Sequence, residues 1–492
     1  MQYYFLPYGR GILKSEIRKF EAQSRLLEPS HVERQQLLEH VIAYSQHYLE
    51  HLVSTPTYTD FGGEEFDPDF AIVEEGIGIE KLLSLLGENV DTVGINLTSS
   101  RYLGYIPGGG LFHAALGDYL AAVTNRYAGL FFASPGAVHI ENEILRWMAG
   151  LIGYPETASG NLTSGGSLAH LTAIVTARDA CGISGKNIER SVVYLTGQHH
   201  HSIDKALHIA GIGDCVKREV DVDAKYRMDA AALEAAIQAD KQAGLRPWLV
   251  IASAGTTNTG AVDPLADIGG IANKESCWFH IDGAYGGLFV MCPEGKAILE
   301  GTETSDSMIM DPHKTLFLPY GTGTVLVKDR RKQAAAFSAD ADYIQRIIEA
   351  EGDLSPADLS PELTKHFRGL RLWLPLKLMG LGPFTAALSE NIWLSRYLYA
   401  QLQTIEGIAV GPYPDLSIVT YRYVPKRGDV DAFNDQLMQA IQRDGQTFIS
   451  GTRVDGQLIL RAAILSFRTH LEDIEAFIEV LKQYVKLLEN EN

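Results

Sequence analysis

Between residues 137 and 327 the chain alternates short apolar runs with stretches of helical periodicity, and few arrangements can absorb such a pattern. Residues 137–151 and 167–181 read as helices. The runs Val192–Leu195, Trp248–Ala254, Trp278–Ile281, Met308–Met310 and Thr324–Val327 are too short for helices, and most are bounded by Gly, Asp or Pro. Strands alternating with helices predict a mainly parallel sheet covered on both faces, an α/β fold. After Pro375 the pattern changes. A helix is expected over Pro383–Ile405, strands over 417–423 and 458–465, a helix over 430–443 and a last helix over 471–488. That order predicts a small α+β domain.

Ahead of the alternating region, residues 13–54 read as mostly helical. Leu38, Val41, Ile42, Tyr48, Leu49 and Leu52 share one face, with Ser45 its polar member. Thr55–Asp69 reads as a linker, and a helix is expected over Gly78–Leu86. The expected division is a helical segment over 1–90, a large α/β domain over 91–380 and a small α+β domain over 381–492. A chain of 492 residues has room for it.

Composition narrows the partners. Lys and Arg number 42 and Asp and Glu 61, a net charge of −19, which repels phosphate backbones and anionic membranes. No nucleic acid is expected as a partner. No stretch approaches the roughly 18 apolar residues of a membrane span, and the opening MQYYFLPYGRGILKSE does not read as a signal peptide. Cys181, Cys215, Cys277 and Cys292 form no CxxC pair and read as free thiols of a reducing cytoplasm.

Four features carry chemistry. In Asn161-Leu-Thr-Ser-Gly-Gly-Ser-Leu-Ala-His170, small residues precede a helix that Ser167 could cap. Helix N-termini expose N–H groups that suit phosphate, although the same residues also make a plain turn. In Phe279-His-Ile-Asp-Gly-Ala-Tyr285 an apolar run ends at Asp282. A carboxylate there could keep a heteroaromatic nitrogen protonated, or simply cap the next element. In Asp306-Ser-Met-Ile-Met-Asp-Pro-His-Lys314 another apolar run leads to Lys314, a candidate Schiff-base lysine or a surface cation. In Gln198-His-His-His-Ser202, adjacent side chains on an extended chain diverge, so no metal site is expected. One imidazole could stack on a planar ring. Asp282 and Lys314 are 32 residues apart, room for one crossover. Together the four supply a phosphate anchor, a ring clamp, a pyridinium partner and a reactive amine, the set that pyridoxal phosphate requires.

With these residues in order, the sequence resembles the group II pyridoxal-phosphate-dependent amino-acid decarboxylases, which include aromatic-L-amino-acid and glutamate decarboxylases. The likeness runs from about residue 34 to about residue 475. It includes Tyr105-Ile-Pro107, Ser134-Pro-Gly136, Thr163-Ser-Gly-Gly-Ser167, His200, Gly255-Thr-Thr257, His280-Ile-Asp282 with Ala284-Tyr285, and Pro312-His-Lys314. The resemblance implies a transferase-like fold (fold type I), a homodimer and one role per matching residue. Lys314 would carry the cofactor, Asp282 would meet the ring nitrogen and His200 would stack on the ring. Gly166, Ser167 and His313 would hold the phosphate, and Thr257 and Ala284 would lie around the ring. Tyr343 would return a proton after carbon dioxide leaves, although it also reads as an ordinary loop tyrosine. Tyr105, Ile106 and Pro107 would line the substrate pocket and favour an aromatic amino acid, and Gly108-Gly-Gly110 would leave more room or a more flexible wall, although the stretch also reads as a structural loop. Asp311 departs from the Asn common before Pro-His-Lys in the animal enzymes. The expected reaction is decarboxylation of an L-amino acid. Transamination or aldehyde formation on the same fold is the alternative, and an inactive relative the distant one.

Overall fold

The computed structural model describes residues 10–63, 67–338 and 353–491, which fall into two compact units, Met1–Asn96 and Leu97–Asn492. In the first unit, α1 (Arg10–Ser24), α2 (His31–Glu50) and α3 (Ile79–Leu86) accompany a two-stranded antiparallel pair, β1 (Tyr58–Thr59) with β2 (Gly94–Ile95). A capping box starts α2. The Glu33 N–H donates to Ser30 Oγ at 3.3 Å, and the Ser30 N–H donates to the Glu33 carboxylate at 2.7 Å. Of the stripe expected on this segment, Leu52 is buried while Leu38, Val41 and Ile42 are exposed, as are Ile12, Leu13, Ile17 and Phe20 on α1.

The second unit is built on a seven-stranded sheet. Its strands are β3 (Ser159–Thr163), β4 (Ser191–Leu195), β5 (Val216–Glu219), β6 (Arg246–Ser253), β7 (Trp278–Gly283), β8 (Ser307–Met310) and β9 (Gly323–Val327). The spatial order is β3-β9-β8-β7-β6-β4-β5. The pairs from β5 through β8 are parallel, and β9 joins both β8 and β3 antiparallel. Every apolar run singled out in the sequence lies in one of these strands except Ala254, which sits just past the end of β6.

Alternation along the strands shows why the sheet is covered on both faces. Tyr194, Val250, Phe279, Ile281 and Met308 pack into one core, while Val193, Leu195, Ile251, Ile309 and Val325 pack into another. Each large side chain buried this way contributes roughly 1.5–3 kcal/mol. Helices α4 (Phe112–Thr124), α5 (Pro135–Leu151), α6 (Gly166–Ala180) and α7 (Ser202–Ile209) precede or connect these strands. Ala169, Ala173 and Ala177 of α6 pack in the second core.

A four-stranded antiparallel sheet follows: β10 (Ile408–Val410), β11 (Ile418–Tyr423), β12 (Ser450–Val454) and β13 (Gln457–Ala463), in the order β10-β11-β13-β12. The helices Gly382–Leu402, Val430–Asp444 and Leu471–Glu491 bury Leu398, Leu437 and Phe477 against it. Pro375 does not mark a break. It lies inside the helix Arg368–Met379, which continues past it.

Candidate active site

The parallel strands β4, β6, β7 and β8 end at one edge of the sheet, where open α/β sheets collect ligands. The segments leaving that edge, with the start of α6, enclose a cavity of about 400 Å³. Gly166, Ser167, His200, Thr257, Asp282, Ala284, His313 and Lys314 all line it. Five sequence segments, from Gly166 to Lys314, thus meet at one place.

Lys314 sits in the one-turn helix Pro312–Thr315 that follows β8. Its Nζ lies 3.1 Å from Asp311 Oδ2, and its side chain keeps partial access to the cavity while Asp311 is buried. Asp311 Oδ1 has no hydrogen-bond partner among the described residues. The carboxylate is wedged beneath the Gly-rich turn, since a Cβ on Gly166 would stand 2.9 Å from Asp311 Oδ2.

Asp282 is buried near the end of β7. The Ala284 N–H donates to its Oδ1 at 3.1 Å, and its Oδ2 lies 3.3 Å from His170 Nε2. Burial pushes this carboxyl up, but His170, Lys314 and the Ala284 N–H more than offset it and hold Asp282 well below the usual carboxylate range.

The three consecutive histidines separate. His199 bridges Thr196 O and the Asp204 carboxylate, each at 2.8 Å. His200 lines the cavity, and its Nδ1 accepts the Ser202 N–H at 3.2 Å and the Ser202 hydroxyl at 2.7 Å. Its ring proton therefore sits on Nε2. Burial pulls His200 down to about 4.

Helix α6 begins at Gly166, and Gly165 holds the cap position without a side-chain hydrogen bond. Ser167 is therefore not the cap but a first-turn residue. The amides of Gly166, Ser167 and Leu168 have no carbonyl one turn earlier to donate to, and all three residues border the cavity. His313 Nδ1 donates to Thr322 O at 2.6 Å, and burial lowers its ring.

Tyr105, Ile106 and Pro107 do not line this cavity. Arg461 links it to their segment, for its Nη1 donates to the carbonyl of Thr257 and its guanidinium stands 5.9 Å from the Tyr105 ring centre. The neighbouring glycines are closely approached by other groups. A Cβ on Gly109 would fall 2.3 Å from Phe317 Cα, and one on Gly108 would fall 3.2 Å from the ring of Tyr320. Tyr320 itself lines the cavity. Tyr343 lies outside the described residues.

The sequence reading missed His170, Gln198 and Tyr320 as cavity residues. His170 had a usable signal. It falls four positions after the first residue of α6, on the face of that helix that meets β7.

A family model described as the pyridoxal-dependent decarboxylase conserved domain matches residues 77–424. The chain is 32% identical over 439 residues to the aromatic-L-amino-acid decarboxylase of Bacillus atrophaeus, covering 87% of this chain and 90% of that protein. It is 30% identical over 404 residues to the phenylacetaldehyde synthase of Arabidopsis thaliana, covering 79% and 82%. The crystal structure of Oryza sativa TDC with PLP and tryptamine superposes with a TM-score of 0.87 at 24% identity, covering 94% of this chain and 99% of that one.

Proposed function

The chain belongs to the pyridoxal-dependent decarboxylase family, and from this premise we propose that it takes carbon dioxide from an aromatic L-amino acid and releases the amine. It is a pyridoxal-phosphate-dependent amino-acid decarboxylase. The observation that carries the residue assignment is the meeting of the Lys314 amine and the buried Asp282 carboxylate in one cavity at the carboxyl ends of the strands.

The residues present fit the cofactor. The α6 turn offers first-turn amides to a phosphate, with His313 beside them. Asp282 is an acceptor suited to a protonated ring nitrogen, and the His200 ring is a flat partner for an aromatic face. Lys314 Nζ is the amine that would hold the cofactor covalently. Bound pyridoxal phosphate supplies the electron sink for the pair released when carbon dioxide departs. Asp282 stabilises that charge by holding the proton of its partner nitrogen in place. His200 keeps its ring proton on Nε2, on the side away from Ser202. Lys314 Nζ accepts and returns protons, with Asp311 steadying its ammonium form. Tyr343 is assigned, on the resemblance, to protonate the substrate carbon.

The aromatic preference rests on the relatives and on Tyr320 in the cavity wall. A second reading, aldehyde formation, is favoured by the likeness to the phenylacetaldehyde synthase. The test is a panel of L-amino acids with pyridoxal phosphate supplied, measuring amine, carbon dioxide, aldehyde, ammonia and peroxide together. Equal amine and carbon dioxide from an aromatic substrate supports the proposal, whereas aldehyde with peroxide supports the second reading. Lys314→Ala should reduce turnover by about a thousandfold or more.

Among the described residues no helix is long and apolar enough to cross a membrane. We assign the protein to the cytoplasm, which suits its four unpaired cysteines. We also assign it a homodimeric state, supported by the exposed apolar side chains Ile17, Phe20, Val41 and Ile42 of α1 and α2. Sedimentation should give twice the chain mass.

A further inference from the structure

Behind Asp282 lies a file of buried polar side chains that the reaction itself does not use. His170 Nε2 is 3.3 Å from Asp282 Oδ2. His170 Nδ1 is 3.1 Å from His280 Nε2. His280 Nδ1 is 2.8 Å from Ser307 Oγ, and the Trp278 Nε1–H donates to that same oxygen at 2.8 Å. His170 and His280 are each 1% exposed, and Ser307 is fully buried. The geometry follows from strand periodicity. Trp278, His280 and Asp282 share one face of β7, and Ser307 is the register partner of His280 on β8.

Hydrogen-bond counting gives this file one direction. Indole nitrogen only donates, so Ser307 Oγ accepts from Trp278. The Ser307 hydroxyl then meets one side-chain acceptor among the described residues, His280 Nδ1. That leaves the single ring proton of His280 on Nε2, donated to His170 Nδ1. The ring proton of His170 is left on Nε2, donated to Asp282. In this direction every side-chain donor of the file has a side-chain acceptor, while the reverse direction leaves the buried Ser307 hydroxyl without one.

We propose that His170 and His280 are positioning residues which, with Ser307 and Trp278, deliver a one-directional chain of hydrogen bonds onto Asp282 and fix its carboxylate as an acceptor facing the cavity. The consequence for turnover rests on the reading of Asp282 as partner of the cofactor ring nitrogen. The chain makes two atoms answerable. If the His170 donor is lost, Asp282 can rotate toward the Ala284 amide alone, and its hold on the ring nitrogen weakens.

The experiment is nitrogen-15 NMR of the full-length, histidine-labelled protein, with and without pyridoxal phosphate. His170→Gln and His280→Gln identify the two rings by loss of their signals. Both rings should show the pattern of a proton on Nε2 and a bare Nδ1. A Nδ1-protonated His280, or a doubly protonated His170, would overturn the direction of the chain. The kinetic arm compares His170→Leu with His170→Gln, which keeps a donor at similar reach. His170→Leu should lower kcat by about ten- to a hundredfold with little change in KM, the scale of one hydrogen bond to a charged group. His170→Gln should recover most of that loss. Equal kcat in the Leu and Gln variants sinks the positioning role. Normal turnover in Asp282→Asn, with both tautomers as expected, instead removes the assignment of Asp282 and with it the catalytic meaning of the chain.

Discussion

Asp311 Oδ2 stands 3.1 Å from Lys314 Nζ, and the aspartate is almost completely enclosed. The same carboxylate lies against the Gly166 end of α6, the end assigned to phosphate. It therefore serves one ligand group and opposes another. Two anions within a few ångströms in a partly dry site repel appreciably. Asp311→Asn should tighten pyridoxal phosphate binding by roughly three- to tenfold, read by titrating the cofactor-free protein. Pyridoxal, which lacks the phosphate, should show no such gain. Weaker phosphate binding in the variant would mean that the aspartate organises the turn rather than opposing its ligand.

The pair also predicts a stability cycle. Lys314→Ala leaves the Asp311 carboxylate buried without its cation, and an uncompensated buried charge costs about 3–5 kcal/mol. Partial access to the cavity and its water reduces that figure. The double variant Lys314→Ala/Asp311→Asn should therefore be more stable than Lys314→Ala alone by about 1–2 kcal/mol in urea unfolding. A double variant no more stable than the single one would show that water already solvates Asp311.

One buried histidine and one half-buried in the cavity wall set an acid limit. Burial pulls His280 down to about 3 and His200 to about 4. In the unfolded chain both take up protons near pH 6.5. Between that pH and about 4 the unfolded state binds protons that the folded state refuses, so stability falls as pH falls through this window. For the enclosed His280 the difference amounts to about 3 kcal/mol from pH 6.5 to 4. Thermal unfolding should show Tm dropping over this range, with a shallower drop in His280→Gln. Parallel curves for the variant and the parent would exclude His280 as a source.

Much of this was legible in the sequence, because buried parallel strands write themselves as short apolar runs ending at Gly or Asp. The runs before Asp282 and Asp311 announced both the strands and the cavity-lining acids at their ends. Other parts were not legible, for identifiable reasons. The strand Ser159–Thr163 reads as a turn because it is made of Ser, Gly, Asn, Leu and Thr. It needs that glycine, since a Cβ on Gly160 would meet Val325 O at 2.3 Å. The edge strand Val216–Glu219 carries Lys and Arg and alternates in exposure, so it shows no apolar run. The helix through Pro375 survives because its neighbours bury it, with Leu372 and Pro375 both in the interior. Contacts such as His170 with Asp282 join residues 112 apart and have no local signature.

Tyr343 is the proposed source of the proton returned after carbon dioxide leaves. If it protonates the substrate carbon, Tyr343→Phe should lower amine formation by about a hundredfold, within the usual range for a positioned acid. Carbon dioxide release should fall less than amine release, with oxygen consumed and aldehyde, ammonia and peroxide making up the difference. An unchanged amine yield in the variant would assign the proton to another group, with His200 Nε2 a candidate on the cavity wall.

The last prediction concerns an ion pair away from the chemistry that sets where β3 and the phosphate turn begin. Lys365 and Glu141 are both wholly buried, with Lys365 Nζ donating to Glu141 Oε1 at 2.6 Å, Asn161 Oδ1 at 3.1 Å and Leu162 O at 2.9 Å. Glu141 Oε1 also accepts the Leu162 N–H at 3.0 Å. One lysine thus ties α5 to β3 just before the Thr163–Ser167 turn. Burial lowers the Lys365 ammonium, and Glu141 opposes that shift. Lys365→Met should cost about 3–5 kcal/mol, because the glutamate is left charged in the interior. Lys365→Met/Glu141→Gln should recover a large part of it, since an amide can still accept from Leu162. The distinguishing readout is cofactor affinity. If the pair positions the phosphate turn as well as stabilising the fold, the double variant should regain stability yet bind pyridoxal phosphate more weakly than the parent. Full recovery of both would leave the pair a purely structural tie.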